Sequence, residues 1–305
     1  MKHIHYGTMT RVLLGCILWA AACAVSAQAT DPQRTFESPE AAAKALVAAT
    51  AADDEAALAD IFGAKHRGVF ATADKAQDRQ AHARFAEAAT QYQLLRPEGN
   101  DRVTLVVGAD AWPLPIPIVR SGTAWRFDSD AGEQEMINRR IGGNELATIR
   151  TMLRYPEAQL LYAASPRDGS NVRQFAQRLA STEGRKDGLY WKADADDTPS
   201  PIGPNLKDAA TRHGGDPYNG YYYRVLKGQG PAAPGGRYSY VINGRMVAGY
   251  ALLAYPAQYG VTGVKSFIVN HYGDVYEKDL GPKTGQVAAA INEYNPDQSW
   301  SRVAD

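Results

Sequence analysis

Apolar residues recur at helical spacing along the first hundred residues. Ser38-Pro39-Glu40 is typical of a helix start, because serine caps, proline fits the first turn and an acid suits the helix dipole. Asp53-Asp54 is a second cap before Leu58, Ile61 and Phe62. A third helix is predicted from Gln77 to Leu95, with one stripe formed by Phe85, Ala88, Tyr92 and Leu95.

The pattern then changes to alternation with period two, which indicates strands. Alternating apolar residues predict strands at 103–107 and 116–119, and a third at 124–127 follows a turn at Gly122. Helices followed by a curling three-stranded antiparallel meander resemble the cone-shaped fold of the nuclear-transport-factor-2-like class. Cone folds of this class have an apolar pocket that can hold small ligands or support acid–base chemistry.

Residues 130 to 164 return to helical spacing. Gly142-Gly143 predicts a break, and Asn144 with Glu145 predicts a new start. Pro156 predicts a kink or an end near Arg154. The predicted buried stripe of this helix consists of Leu146, Ile149 and Leu153.

The last third of the chain is predicted to form an antiparallel sheet. Strands are expected at 220–226, 238–243, 246–254, 264–270 and 275–280, with a hairpin turn at Asn243-Gly244 and a final helix at 285–294. The whole is therefore predicted to be α+β, with a long helix packed on the second sheet. We predict an N-terminal α+β domain at 28–130 and a C-terminal helix-plus-sheet domain at 131–305.

The N-terminal segment predicts export. It starts with basic residues and continues as an uncharged run from Val12 to Ala27, which is shorter than a spanning helix requires. A signal peptide at 1–27 is expected, with cleavage near Ala27 or Ala29 and a periplasmic or secreted product. Lipidation at Cys23 is the alternative. Because both cysteines of the chain lie in this segment, the mature chain is expected to contain none.

Charge and motifs exclude several classes of function. The 33 basic and 33 acidic residues balance, which argues against a nucleic-acid groove, and the mean hydropathy of -0.38 argues against an integral membrane protein. The sequence contains no H-E-x-x-H, G-x-S-x-G or S-x-x-K motif and no complete dinucleotide or phosphate loop. We predict no catalytic residue, no cofactor and no metal ligand.

A few residues remain as candidates for a ligand or partner surface. His213 and Asp216 could form an acid–base pair in a glycine-rich loop, and Arg126 or Asp128 could line an opening. Tyr221 and Tyr223 share one side of a predicted strand. They could stack on a sugar or a partner protein, or they could cover a sheet face against the long helix.

Several ordered motifs carry a family resemblance. They include Trp112-Pro-Leu-Pro-Ile-Pro, Asn138-Arg-Arg-Ile-Gly142, Lys186-Asp-Gly-Leu-Tyr-Trp191, Gly220-Tyr-Tyr-Tyr-Arg224 and Gln229-Gly-Pro-Ala-Ala-Pro-Gly235. With these motifs the chain resembles the exported bacterial family known as domain of unknown function number 2950. The resemblance implies no catalytic residue.

A second, more distant resemblance involves the long helix and the sheet that follows. Asn144 to Leu153 with Tyr162, followed by Ala254-Tyr-Pro256 and Phe267-Ile-Val-Asn270, is similar to a pseudopilin head. Two hypotheses of function remain. The first is a non-catalytic envelope protein that binds a partner protein or a cell-wall component. The second is a periplasmic hydrolase or small-ligand-binding protein that uses a cleft between the two halves.

Overall fold

The computed structural model describes residues 33–167, 169, 171–192, 199–203 and 217–304. Helices precede and flank two five-stranded antiparallel sheets, and two two-stranded sheets lie in the C-terminal half, so the predicted α+β class is confirmed. The helices are α1 (Pro39–Ala51), α2 (Glu55–Phe62), α3 (Lys75–Gln91), α4 (Ser129–Ala163) and α5 (Thr284–Ala290), with a 3₁₀ segment at Ala64–Val69. The strands are β1 (Gln93–Pro97), β2 (Arg102–Val107), β3 (Trp112–Pro113), β4 (Ile118–Ser121), β5 (Ala124–Phe127), β6 (Tyr221–Leu226), β7 (Gly228–Gln229), β8 (Tyr238–Ser239), β9 (Val241–Ile242), β10 (Arg245–Met246), β11 (Ala251–Pro256), β12 (Lys265–Asn270), β13 (Val275–Asp279) and β14 (Ser301–Arg302).

The N-terminal helices begin at side-chain caps. Ser38 Oγ accepts from the Ala41 amide at 3.2 Å, and the carboxylates of Asp54 and Asp74 accept from the first amides of α2 and α3. These helices pack on a sheet of order β1-β2-β4-β5, with β3 paired to β2. The three predicted strands are present as β2, β4 and β5, and β1 and β3 extend the sheet.

The predicted end of the third helix was wrong. The helix ends at Gln91, Tyr92 is extended, and Leu95 lies in β1 opposite Leu105 of β2. The prediction extended the helix to Leu95 because the apolar residues Tyr92 and Leu95 also have helical spacing. Pairing with β2 gives the backbone of this segment its hydrogen bonds instead.

The long helix α4 is continuous, so the break predicted at Gly142-Gly143 and the end predicted near Arg154 were wrong. Asn144 and Glu145 do not cap a new helix. Asn144 Nδ2 donates to the Thr262 carbonyl at 2.8 Å, and Glu145 Oε1 accepts from the amides of Val264 and Lys265 at 2.9 Å each. These contacts fasten the middle of α4 to the second sheet.

The face of α4 that packs on this sheet is also different from the predicted one. Of the predicted stripe, Ile149 is partly buried and packs against this core, whereas Leu146 and Leu153 are exposed. The buried side chains are Thr148, Met152, Tyr155, Ala158, Gln159 and Tyr162. Both rows have helical spacing, so periodicity alone did not decide which one faces inward.

The second sheet has the order β14-β13-β12-β11-β6 and is antiparallel throughout. The two-stranded sheets are β7–β8 and β9–β10. Its core contains residues of α4, the central strands and α5, whereas the first core contains residues from Phe36 to Phe127. The domain boundary at 130 and 131 stays a prediction, since α4 touches both halves. Within the described ranges, no helix has the length and apolar character needed to cross a membrane.

Candidate ligand-binding pocket

A pocket of about 440 Å³ lies in the N-terminal half, where the start of α4 crosses it. Four helices and the β3–β4 connection contribute to its walls. Most of the lining is apolar and includes Leu46, Leu58, Phe62, Phe70, Phe85, Leu114, Ile116 and Met136. Both the size and the apolar lining are typical of sites for small organic molecules, which measure about 300–1,000 Å³.

One polar group of the lining, Asp78, is fully occupied by its own loop. Thr72 donates to this carboxylate through its amide, at 2.9 and 3.1 Å, and through its hydroxyl, at 2.8 Å. These hydrogen bonds from Thr72, together with Lys75 nearby, lower the pKa of Asp78. The carboxylate is therefore held in its charged form as a structural group.

The second polar group, His82, is likewise held on both sides. Its Nδ1 lies 2.7 Å from Asp53 Oδ1, and its Nε2 lies 2.8 Å from the Phe70 carbonyl oxygen. Each ring nitrogen therefore lies within hydrogen-bonding distance of a protein oxygen. The ring is buried, so His82 is part of the interior of this half and is not a solvated surface residue.

Two arginines of α4 stand at the pocket and differ in their contacts. Arg139 donates from Nε to Glu135 and from Nη1 to the Pro113 carbonyl, each at 2.8 Å, and its guanidinium lies 5.5 Å from the ring centre of Trp112. Arg140 is exposed and makes no hydrogen bond or ion pair with any residue that the structure describes. The pocket therefore combines an apolar interior with one uncommitted cation.

The two tyrosine candidates lie elsewhere, inside the second core. Tyr221 and Tyr223 are 0% and 2% exposed. The hypothesis that they stack on a sugar or a partner protein at the surface is therefore wrong. Tyr221 donates to the Lys265 carbonyl at 2.9 Å, and Tyr223 donates to Thr148 Oγ1 of α4 at 3.2 Å. Burial raises the pKa of Tyr223 to about 12; burial and the nearby Glu145 carboxylate also raise the pKa of Tyr221. These residues cover the sheet against α4, as the other interpretation of the sequence expected.

The remaining candidates do not converge on the pocket. Arg126 donates to Gln33 Oε1 and to the Phe127 carbonyl, both at 3.3 Å. Asp128 caps α4 by accepting from the Ala131 amide at 3.2 Å. His213 and Asp216 lie outside the described residues.

Within the part of the chain that the structure describes, no group of three or more His, Cys, Asp or Glu side chains is arranged to hold a metal ion.

Residues 33–303 match the model of a family described as a protein of unknown function, DUF2950, and the chain belongs to this family. The chain has no significant match among curated proteins or among solved structures. The family resemblance of the sequence is therefore confirmed, whereas the pseudopilin and cone-fold resemblances stay predictions.

None of the candidate residues named from the sequence lines this pocket, although one signal for its lining was present. Asp78, His82 and Ala89 are spaced as one face of α3, together with Phe85 and Ala86. Polar side chains on the inner face of a helix need hydrogen-bonding partners inside the protein. Asp78 has Thr72 as its partner, and His82 has Asp53 and the Phe70 carbonyl.

Proposed function

We propose that this protein is an exported, non-catalytic binding protein whose N-terminal pocket takes a small apolar molecule with an anionic group. The observation that carries the proposal is the pocket of about 440 Å³ with apolar walls and Arg140 beside it. The walls would hold the apolar body, and the free guanidinium would pair with a carboxylate, sulfonate or phosphate at the mouth.

Binding is favoured over hydrolysis because the polar groups of the pocket are already used. General acid–base chemistry requires a proton or a lone pair directed at the substrate. Asp78 accepts three hydrogen bonds from Thr72, and both nitrogens of His82 lie against protein oxygens. Arg140 can attract a charge but supplies neither a base nor a nucleophile.

The location and the partner class are part of the same proposal and rest on the sequence. The residue pattern of 1–29 supports export, which would place binding in the periplasm or outside the cell. An envelope protein or a cell-wall component as a further partner is compatible with this location.

The test is isothermal titration calorimetry of the mature chain with dodecanoate and, separately, with dodecanol. Both probes carry the same apolar chain, but only dodecanoate carries an anion. We expect R140Q to weaken dodecanoate about tenfold, the typical effect of one charge-assisted contact, and to leave dodecanol unchanged. The matched control is R84Q, since Arg84 is an exposed arginine on α3 that does not line the pocket.

A second variant tests the place of binding. Ala81 lies at the exposed edge of the pocket, so A81W would fill the entrance without replacing a core residue. Both probes should then be lost while the melting temperature is kept. Absence of binding to the wild-type chain, or unchanged binding to A81W, would refute the proposed function.

A further inference from the structure

A second pocket, the C-terminal pocket, has a volume of about 510 Å³ and lies between the second sheet and the chain segment that follows α5. Tyr223 of β6 faces α4, so its neighbour Arg224 points to the opposite side of the sheet. There Arg224 donates to the carbonyls of Ala288, at 2.5 Å, and of Ile291. These contacts hold α5 and the segment after it against the sheet face opposite α4, and the C-terminal pocket lies beside them.

The wall that follows α5 is fixed by hydrogen bonds to a distant part of the chain. The Tyr294 amide donates to the Gly228 carbonyl, and the Gly230 amide donates to the Tyr294 carbonyl, each at 2.9 Å. Asn295 Oδ1 accepts from the Ala232 amide at 2.9 Å. Because this wall is already ordered, a ligand would bind without the entropic cost of fixing it.

The floor of the pocket is apolar and has one aromatic neighbour. Ile268 is 1% exposed, and Leu280 and Ile291 are partly buried. Trp300 also lines the pocket and is partly exposed. An indole ring beside aliphatic side chains suits a ligand with one apolar face.

The charged side chains of the lining balance one another. Arg237 Nη2 lies 3.3 Å from Glu293 Oε2. Lys278 Nζ donates to Ser299 Oγ at 2.7 Å, and Ser299 donates to Asp297 through its hydroxyl and, at 2.9 Å, through its amide. These hydrogen bonds from Ser299, with Lys278 nearby, lower the pKa of Asp297. Two cations and two anions leave the described lining without net charge, so its field attracts neither an anion nor a cation.

Two amide side chains of the lining keep a polar atom available. Asn292 donates from Nδ2 to the Ala290 carbonyl at 3.2 Å, and its Oδ1 has no hydrogen bond within the described ranges. Asn295 accepts through Oδ1, and its Nδ2 has no partner among the same residues. One free acceptor and one free donor match a hydroxyl group, which can donate and accept.

We infer that the C-terminal pocket binds a neutral saccharide, with a sugar ring packed against Trp300 and its hydroxyls paired with Asn292 and Asn295. A sugar ring combines an apolar C–H face with a hydroxyl-bearing edge and carries no charge, which are the three properties that this lining matches. The volume is within the range of about 300–1,000 Å³ that is typical of small-ligand sites. The residues are separate from those of the N-terminal pocket, so the inference does not depend on the proposed function.

The experiment is isothermal titration calorimetry of the mature chain with three neutral disaccharides: maltose, cellobiose and N,N′-diacetylchitobiose. At least one of them should bind with a dissociation constant of about 1 mM or below. W300L should weaken this binding about tenfold, whereas W300F should keep most of it, because phenylalanine retains an aromatic face. Melting temperatures of both variants report whether the packing of the second core is intact.

A surface variant tests the hydroxyl contact without touching the core. Asn292 is exposed, and N292A should weaken the same disaccharide roughly fivefold, the effect of one net hydrogen bond. The matched control is N100A, because Asn100 is an exposed asparagine of the N-terminal half that does not line the C-terminal pocket.

The absence of net charge is tested with glucose and glucuronate, which differ by one carboxylate. Glucuronate should bind no more tightly than glucose, and added sodium chloride should leave binding of the neutral disaccharide unchanged.

Three outcomes would overturn the inference. The first is no binding of any of the three disaccharides up to about 10 mM. The second is an affinity that W300L and N292A leave unchanged. The third is tighter, salt-sensitive binding of glucuronate, which would identify an anion site instead.

Discussion

Glu145 should be a main attachment of α4 to the second sheet, and its removal should destabilise the fold. Oε1 accepts from the amides of Val264 and Lys265 at 2.9 Å each. Hydrogen bonds to a charged group contribute about 1.5–3 kcal/mol each, and partial exposure favours the lower end of this range. We therefore expect E145A to lower the free energy of unfolding by about 2–4 kcal/mol, and E145Q by less, because the amide oxygen still accepts.

The measurement is urea denaturation monitored by fluorescence. Midpoints are compared between variants whose unfolding free energy falls with urea concentration at the same slope. The matched control is E87A on α3, because Glu87 is exposed and makes no hydrogen bond with any other described residue. If E145A and E87A have the same midpoint, Glu145 does not anchor α4. A loss for E145Q as large as that for E145A would show that the charge, and not the geometry of the two contacts, accounts for the effect.

Other perturbations test the pocket loop, the second core and the continuity of α4. The folded pKa of Asp78 is lowered, so its contribution is present above the unfolded pKa and is lost as the pH falls through the folded value; D78N should lose less of its stability than the wild type in urea titrations between about pH 5 and pH 2. G263A would place Cβ 2.0 Å from the Tyr221 hydroxyl, so calorimetry should show a destabilisation of about 1–3 kcal/mol, and an unchanged melting temperature would contradict the packing. G143A meets open space inside α4, so it should stabilise the protein by about 1 kcal/mol; no gain would indicate the helix break that the sequence predicted.

Local signals in the sequence predicted local structure well. Ser38 and Asp54 cap the helices that they were expected to cap. Asn243-Gly244 forms the expected two-residue hairpin, in which both residues have positive φ, 49° and 81°, and Arg245 pairs with Ile242. These features depend on side chain and backbone within a few residues, so a single sequence contains the information that decides them.

Signals that depend on distant residues misled the prediction. Asn144 and Glu145 have the composition of a helix start, but their side chains bind backbone groups near Thr262 and Lys265, more than a hundred residues later. Gly142 and Gly143 cost helix propensity, yet the contacts on both sides of them keep the helix continuous. The residues that line the pocket were not identified for the same reason, since they come from α1, α2, the 3₁₀ segment and the loop after it, α3, the β3–β4 connection and α4.

The two faces of α4 show why hydrophobicity alone could not orient the helix. The inward face contains Thr148 and Gln159, which are fully buried because each finds partners: Tyr223 donates to Thr148, and Gln159 exchanges hydrogen bonds with the backbone of Ala176. The outward face contains Leu146, Leu153 and Leu160 instead, and all three are exposed. Had burial of apolar area been the only criterion, the leucines would have been placed inward and the polar pair outward. The core accepts Thr148 and Gln159 because their polar groups are satisfied there, whereas the outward face mixes exposed leucines with the exposed charges of Arg150, Arg154 and Glu157. Hydrogen-bonding partners far away in the sequence therefore decided which face of α4 is buried.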